Sequence, residues 1–260
     1  MKIGLLQCDD VAPALIGLHG NYPDMIQTLL HTVDPALSFE VFACHQGRFP
    51  DIATRMDGWI TTGSKCGAND DADWIGQLSD VIRRLWQTRQ PLVGICFGHQ
   101  MIAKALGGQV ERSPLGWGLG AYPTTLEQQE PWMTPWQSAT LQLLASHQDQ
   151  VTELPPQGRV LARSGFCPIY MMQVGDTCLG IQGHPEFSRA YTADLLASRR
   201  DRIPPERLQA AQAQPARRRQ RPAGRALASE LHPARTTTSR PALTAILPAS
   251  VRMPSSSSPS

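Results

Sequence analysis

Residues 1–205 predict an α/β fold: a mostly parallel central sheet flanked by helices. Three observations carry that reading. Strand-like and helix-like segments alternate up to residue 108, the pattern of βαβ units with right-handed crossovers. The run Leu92-Val93-Gly94-Ile95 has no polar side chain, as in a strand buried on both faces. The helical segments each carry one apolar stripe, so each has a face to lay on a sheet.

Taken in order, residues 2–7 (KIGLLQ) read as the first strand, and 9–21 as a loop with no clear period. Over 22–33, Met25, Ile26, Leu29 and Leu30 share a helical face, and Pro23 with Asp24 fits a helix start. Residues 39–42 form a second strand and 57–61 a third. A helix over 74–87 buries Ile75, Leu78, Ile82 and Leu85. The strand at 92–95 follows, then a sharp turn at Cys96-Phe97-Gly98. A helix over 99–106 comes next, stopped by Gly107-Gly108. Short strand-like pieces at 120–126, 139–145, 159–162, 169–174 and 178–182 predict a more antiparallel region. Residues 190–198 read as helix again. No internal repeat is evident.

Near residue 212 the chain changes character. Residues 213–260 are rich in Arg, Pro and Ser and have no sustained apolar period, the composition of a disordered tail. They hold eight arginines against one acid, Glu230, or +7, which leaves about −5 on residues 1–212 of a chain whose net charge is +2. A mildly acidic domain gives no electrostatic case for nucleic-acid binding, and Arg217-Arg218-Arg219 reads as solvated tail. The six cysteines (Cys8, Cys44, Cys66, Cys96, Cys167 and Cys178) form no C-x-x-C pair and no metal-type spacing with histidine, so no metal and no cofactor is expected. Without a signal-type leader or an apolar run long enough to span a bilayer, the expectation is a cytoplasmic protein with reduced thiols and no membrane partner.

Strand, cysteine, tight turn, helix is the arrangement of a nucleophile elbow with Cys96 at its tip. Gly94 and Gly98 flank it where a strained turn needs positions without a Cβ. The helix that follows points its N-terminal N–H groups at the thiol, which favours thiolate. A cysteine nucleophile needs a base and a group to orient that base. His184 follows the apolar run 178–182, and Glu186 lies two residues on, facing the same way in extended backbone. Pro185 between them denies a helical alternative.

These residues resemble a known family. G-I-C-F-G-H-Q followed by Q-G-H-P-E-F looks like the class I glutamine amidotransferase domain, the type with a Cys-His-Glu triad. Cys96 and His184 stand 88 residues apart. Ile60-Thr61-Thr62-Gly63-Ser64 is similar to that family's oxyanion loop, and Ser146-His147-Gln148-Asp149-Gln150-Val151 to a stretch of its GMP-synthetase-type members. The resemblance covers residues 1–205 and implies a flavodoxin-like architecture. It implies that Cys96 attacks the side-chain amide of glutamine to form a γ-glutamyl thioester, His184 carries protons and Glu186 orients His184. Gly63 and Phe97 would supply oxyanion-hole N–H groups, and Gln100 and His147 would line the substrate pocket. His99 is left as a structural residue, and Cys66 stands out for its place just beyond the oxyanion loop.

Glutamine hydrolysis with ammonia release is the first functional expectation. No G-x-x-x-x-G-K-S/T phosphate loop or S-G-G-x-D-S motif is present, so the ammonia would need a separate synthetase subunit as acceptor, or would simply be lost. The alternative is a γ-glutamyl peptidase or hydrolase working through the same triad. A non-catalytic binding or regulatory protein on this scaffold is a third reading, against which the intact triad argues. Relatives of the intracellular-peptidase and glyoxalase kind rank last, since they lack the paired H-P-E motif. Family members finish with a helix packed on the sheet. Here residues 199–211 approach such a helix and Arg/Pro/Ser-rich sequence replaces its continuation, as a frame change or truncation near residue 212 would produce.

Overall fold

The computed structural model describes residues 1–51, 53–133 and 139–212; the tail expected at 213–260 lies outside the described residues. Strand β1 (Lys2–Gln7) leads through α1 (Pro13–His19) and α2 (Tyr22–His31) to β2 (Ser38–Ala43). Then come β3 (Gly58–Thr61), α3 (Asp73–Gln87), β4 (Leu92–Ile95) and α4 (Phe97–Ala105). The chain continues through β5 (Gln109–Arg112), β6 (Gly118–Ala121), β7 (Thr124–Leu126), β8 (Thr140–Leu141) and β9 (Leu144–His147). It closes with β10 (Asp149–Glu153), β11 (Gly158–Ser164), β12 (Met171–Val174), β13 (Cys178–Ile181), α5 (Arg189–Ser198) and α6 (Pro205–Gln212).

Nine of these strands form one sheet in the order β2-β1-β3-β4-β13-β12-β11-β7-β8. The five from β2 to β13 pair in parallel, as the βαβ pattern predicts. β13 is the joint. Leu179 registers with Val93 of β4 in parallel and with Gln173 of β12 antiparallel, and the sheet runs antiparallel from there to β8. Both residue 96 and residues 182–186 therefore emerge side by side at the carboxyl ends of two neighbouring parallel strands, where open α/β sheets place their ligands.

Both faces of the sheet are covered. Ile26 and Leu30 of α2 pack with Ile3, Leu5, Ile60, Val93 and Ile95 on one side. Leu78 and Ile82 of α3 and Met101 and Ile102 of α4 pack with Leu6, Trp59 and Leu92 on the other. Leu5 and Leu6 go to opposite faces because successive strand side chains alternate, and burial on both sides is why β1 reads as an unbroken apolar run. The start of α2 is fixed by a capping box in which Asn21 and Asp24 satisfy each other's backbone N–H.

Four expectations change. Residues 13–19 are helix rather than loop, started by Pro13 and ended at Gly20, which takes φ 75°. Only Leu15 of that helix is buried, too little to give a period. Helix α4 begins at Phe97, directly after the cysteine, two residues earlier than the spacing suggests. The pieces at 120–126 and 139–145 each divide, the first at Tyr122-Pro123 into β6 and β7 and the second into β8 and β9, and in each case the two strands belong to different sheets. β5 and β10, unexpected as strands, form a two-stranded ribbon that carries Asp149 toward the cysteine. Among the described residues no helix is long and apolar enough to cross a membrane.

Candidate active site

Cys96 joins β4 to α4 with φ 53° and ψ −101°, a left-handed backbone that L residues rarely adopt. The positive φ therefore sits on the cysteine itself, and the flanking glycines supply the positions without a Cβ that the turn was expected to need. A Cβ on Gly94 would run into the Gly98 carbonyl and come within 2.7 Å of the His99 nitrogen. A Cβ on Gly98 would collide with the Thr61 side chain. The turn closes only where β3, β4 and α4 can touch backbone to backbone. The Cys96 N–H is held by the Ile181 carbonyl at 2.8 Å, which ties the elbow to β13.

His184 comes from the residues after β13. Its N–H donates to the Leu144 carbonyl at 2.8 Å, and Nδ1 donates to Glu186 Oε1 at 2.8 Å, leaving the rest of the ring to hydrogen-bond the Cys96 side chain. Cys96, His184 and Glu186 are all buried. Burial opposes a proton on His184. The Glu186 carboxylate, the Cys96 sulfur and the hydrogen bonds to both outweigh it, so the imidazole holds its proton well above the ordinary histidine range.

Two partners of this trio were not foreseen. Phe187 stacks on the His184 ring with centroids 3.8 Å apart and planes 8° from parallel, and makes a T-shaped contact with Tyr191 of α5. Gln182, fully buried, donates from Nε2 to the Cys96 sulfur at 3.4 Å. The two-residue step that links His184 to Glu186 would have found Gln182 if run backwards. Nothing local announces the Phe187 stack, which depends on where α5 folds.

Gly63 lies beside the pair: a Cβ built on it would stand 2.9 Å from His184 Cε1 and 3.8 Å from Cys96 Cβ. Phe97 is the first residue of α4, so its N–H has no acceptor inside the helix. Gln100 and His147 line the same cleft as Cys96, together with Cys66, Trp117, Arg199 and Arg202. Gln100 is buried, and its Nε2 donates to the Asp149 carbonyl at 2.7 Å and to Gln182 Oε1 at 3.1 Å. Cys66 is half-buried, and all six cysteines are free. His99 sits apart from the trio, buried under α4 against Gly180.

His99 and His147 are held neutral. Burial pushes His99 down to about 4, and burial with the neighbouring His184 and His99 pushes His147 down to about 3. The unfolded chain takes up both protons near the ordinary value of about 6.5, so below that pH the unfolded state binds more protons and stability falls as pH drops. The limiting slope is about 1.4 kcal/mol per pH unit for each histidine. His184, which binds its proton more tightly when folded, offsets part of this above about pH 6.5, but with two histidines against one the urea midpoint at about pH 5.5 should still lie below that at about pH 7. Equal midpoints would contradict neutral burial of the pair.

The sequence profile described as glutamine amidotransferase class-I matches residues 48–197. Gamma-glutamyl peptidase 4 of Arabidopsis thaliana is 34% identical over 184 residues, covering 68% of this chain and 72% of that protein. A glutamine-hydrolysing GMP synthase component of Pyrococcus abyssi is 37% identical over 123 residues, 46% of this chain and 64% of its own length. A glutamine amidotransferase from Methylobacillus flagellatus superposes with a TM-score of 0.59 over 76% of this chain and 73% of its own, at 24% identity.

Proposed function

Because the chain belongs to the class-I glutamine amidotransferase family, we propose that it is a cysteine hydrolase that cleaves γ-glutamyl amide bonds through a thioester on Cys96. The single observation that carries this is the contact set of His184, bonded to Glu186 through Nδ1 at 2.8 Å while the same ring reaches Cys96. It supports a thiolate–imidazolium pair kept in one orientation, the state from which a thiol attacks an amide.

In this reading the Cys96 sulfur adds to the γ-carbonyl carbon. The oxyanion is met by N–H groups of Gly63 and Phe97, each such donor accounting for roughly 3–4 kcal/mol of barrier lowering. His184 gives its proton to the departing amine, the C–N bond breaks, and the thioester remains. Water then loses a proton to His184 as it attacks, and glutamate leaves with the thiol restored. Glu186 and Phe187 keep the ring in plane throughout. Both Gln100 N–H groups are spent on Asp149 and Gln182, so only its Oε1 is left for substrate, an acceptor suited to an α-ammonium group. His147 lies in the same wall. The chemistry calls for a reduced Cys96, which suits the cytoplasm.

Besides Cys96, the cleft is lined by Trp117, Arg112, Arg199 and Arg202, which supports an amine half larger than ammonia, that is, a γ-glutamyl peptide. Glutamine as substrate, with ammonia passed to a separate synthetase subunit, is the second reading. The likeness to the Pyrococcus abyssi GMP synthase component favours it. Purified protein given glutamine and, separately, γ-glutamyl dipeptides should release glutamate from the peptides faster. Release from glutamine alone would establish the second reading, and release from neither would overturn both.

A further inference from the structure

The orientation of two buried amides is dictated by one carbonyl. The Asp149 oxygen can only accept, so the Gln100 atom 2.7 Å away is its nitrogen. The second N–H of that nitrogen points to a Gln182 atom at 3.1 Å, which must then be the oxygen. The Gln182 nitrogen is thereby turned onto the Cys96 sulfur at 3.4 Å. Flipping either amide would set oxygen against oxygen or nitrogen against nitrogen inside a buried site. The backbone fixes the base of Gln182 as well, since its N–H donates to the Tyr170 carbonyl at 2.8 Å.

We propose that Gln182 is a further catalytic residue, whose Nε2–H holds the Cys96 sulfur as thiolate before attack and receives it again as leaving group. The inference rests on the thioester chemistry proposed above. In the second half-reaction a water oxygen bonds to the thioester carbon and a water proton passes to His184. The C–S bond then breaks with its electron pair going to sulfur. A hydrogen bond to a charged acceptor is roughly twice as strong as one to a neutral group, so the Gln182 donor favours the thiolate over the thioester. His184 serves the same sulfur through its proton. Gln182 serves it with a proton that never transfers, and so works at any pH. Gln100 acts through Gln182 as a positioning residue, and the β5–β10 ribbon sets the register by presenting the Asp149 carbonyl.

The test uses the full chain and reads the sulfur directly, through the pH dependence of Cys96 alkylation by iodoacetamide, alongside steady-state kinetics. Gln182→Met keeps the volume and loses the donor. Gln182→Asn keeps a buried amide but draws it back by one methylene from both the sulfur and Gln100. The alkylation midpoint should rise by about one pH unit in both, and kcat should fall about 10–100-fold with KM little changed. Midpoints equal to wild type in a variant whose melting temperature shows it folded would overturn the proposal. A raised midpoint in a protein that hydrolyses no γ-glutamyl compound would leave Gln182 as the holder of the sulfur and sink the proposed reaction instead.

Discussion

Replacing Cys96 by alanine should lower turnover by about 10⁵-fold or more, because members of a nucleophilic triad act as a unit and the remaining oxyanion donors cannot form an acyl-enzyme. Cys96→Ser should be nearly as inactive, since a hydroxyl keeps its proton where a thiol gives it up to an imidazole. The two variants should part in stability. Serine still offers an acceptor to Gln182, whereas alanine leaves that buried N–H without one, at a cost of about 1–3 kcal/mol. Turnover and urea unfolding measured on the same preparations separate the chemical role of the sulfur from its structural one. Substantial activity in Cys96→Ala would place the nucleophile elsewhere.

Gly98→Ala should be the most damaging change of a single methyl group, costing at least about 3 kcal/mol and the soluble yield with it. The new Cβ would land on the Thr61 side chain and 3.1 Å from the Thr61 carbonyl oxygen, and that backbone belongs to the centre of the sheet. Nothing there can move without shifting β3, and with it the Gly63 loop that borders His184. Gly76→Ala is the contrast. Gly76 lies on the exposed side of α3 with no atom within 4 Å of its added Cβ, so alanine should raise stability by about 0.5–1 kcal/mol. Thermal melts of the two variants should move in opposite directions. A Gly98→Ala protein that melts like wild type would mean the elbow is looser than its contacts imply.

What the sequence disclosed tracks how local each signal is. The elbow stands in contiguous residues, an apolar strand, a cysteine between spaced glycines and a helical period, and each piece can be read without knowing what packs on it. His184 and Glu186 were legible for the same reason, since a two-residue step and an intervening proline define their geometry. The need for positions without a Cβ at Gly94 and Gly98 was legible too, whereas the positive φ of 53° on Cys96 itself was not, because no residue type marks it. Helix α1 was missed because burial of Leu15 alone leaves no stripe, although Pro13 and Gly20 marked its ends. β5 was missed because Val110 is its only buried residue, which gives no alternation. Gln100 could be placed in the cleft from its motif, but that its N–H groups are taken up by Asp149 and Gln182 depends on partners 49 and 82 residues on, and no local pattern holds that information.

The central claim is the covalent step, and the most direct measurement is intact-protein mass spectrometry of acid-quenched mixtures with a γ-glutamyl dipeptide, followed by digestion to locate the adduct. The account predicts a mass increase of one γ-glutamyl group on the peptide carrying Cys96, lost on treatment with hydroxylamine and absent from Cys96→Ala. Turnover without any adduct on that cysteine, or an adduct and turnover that survive in Cys96→Ala, would contradict it.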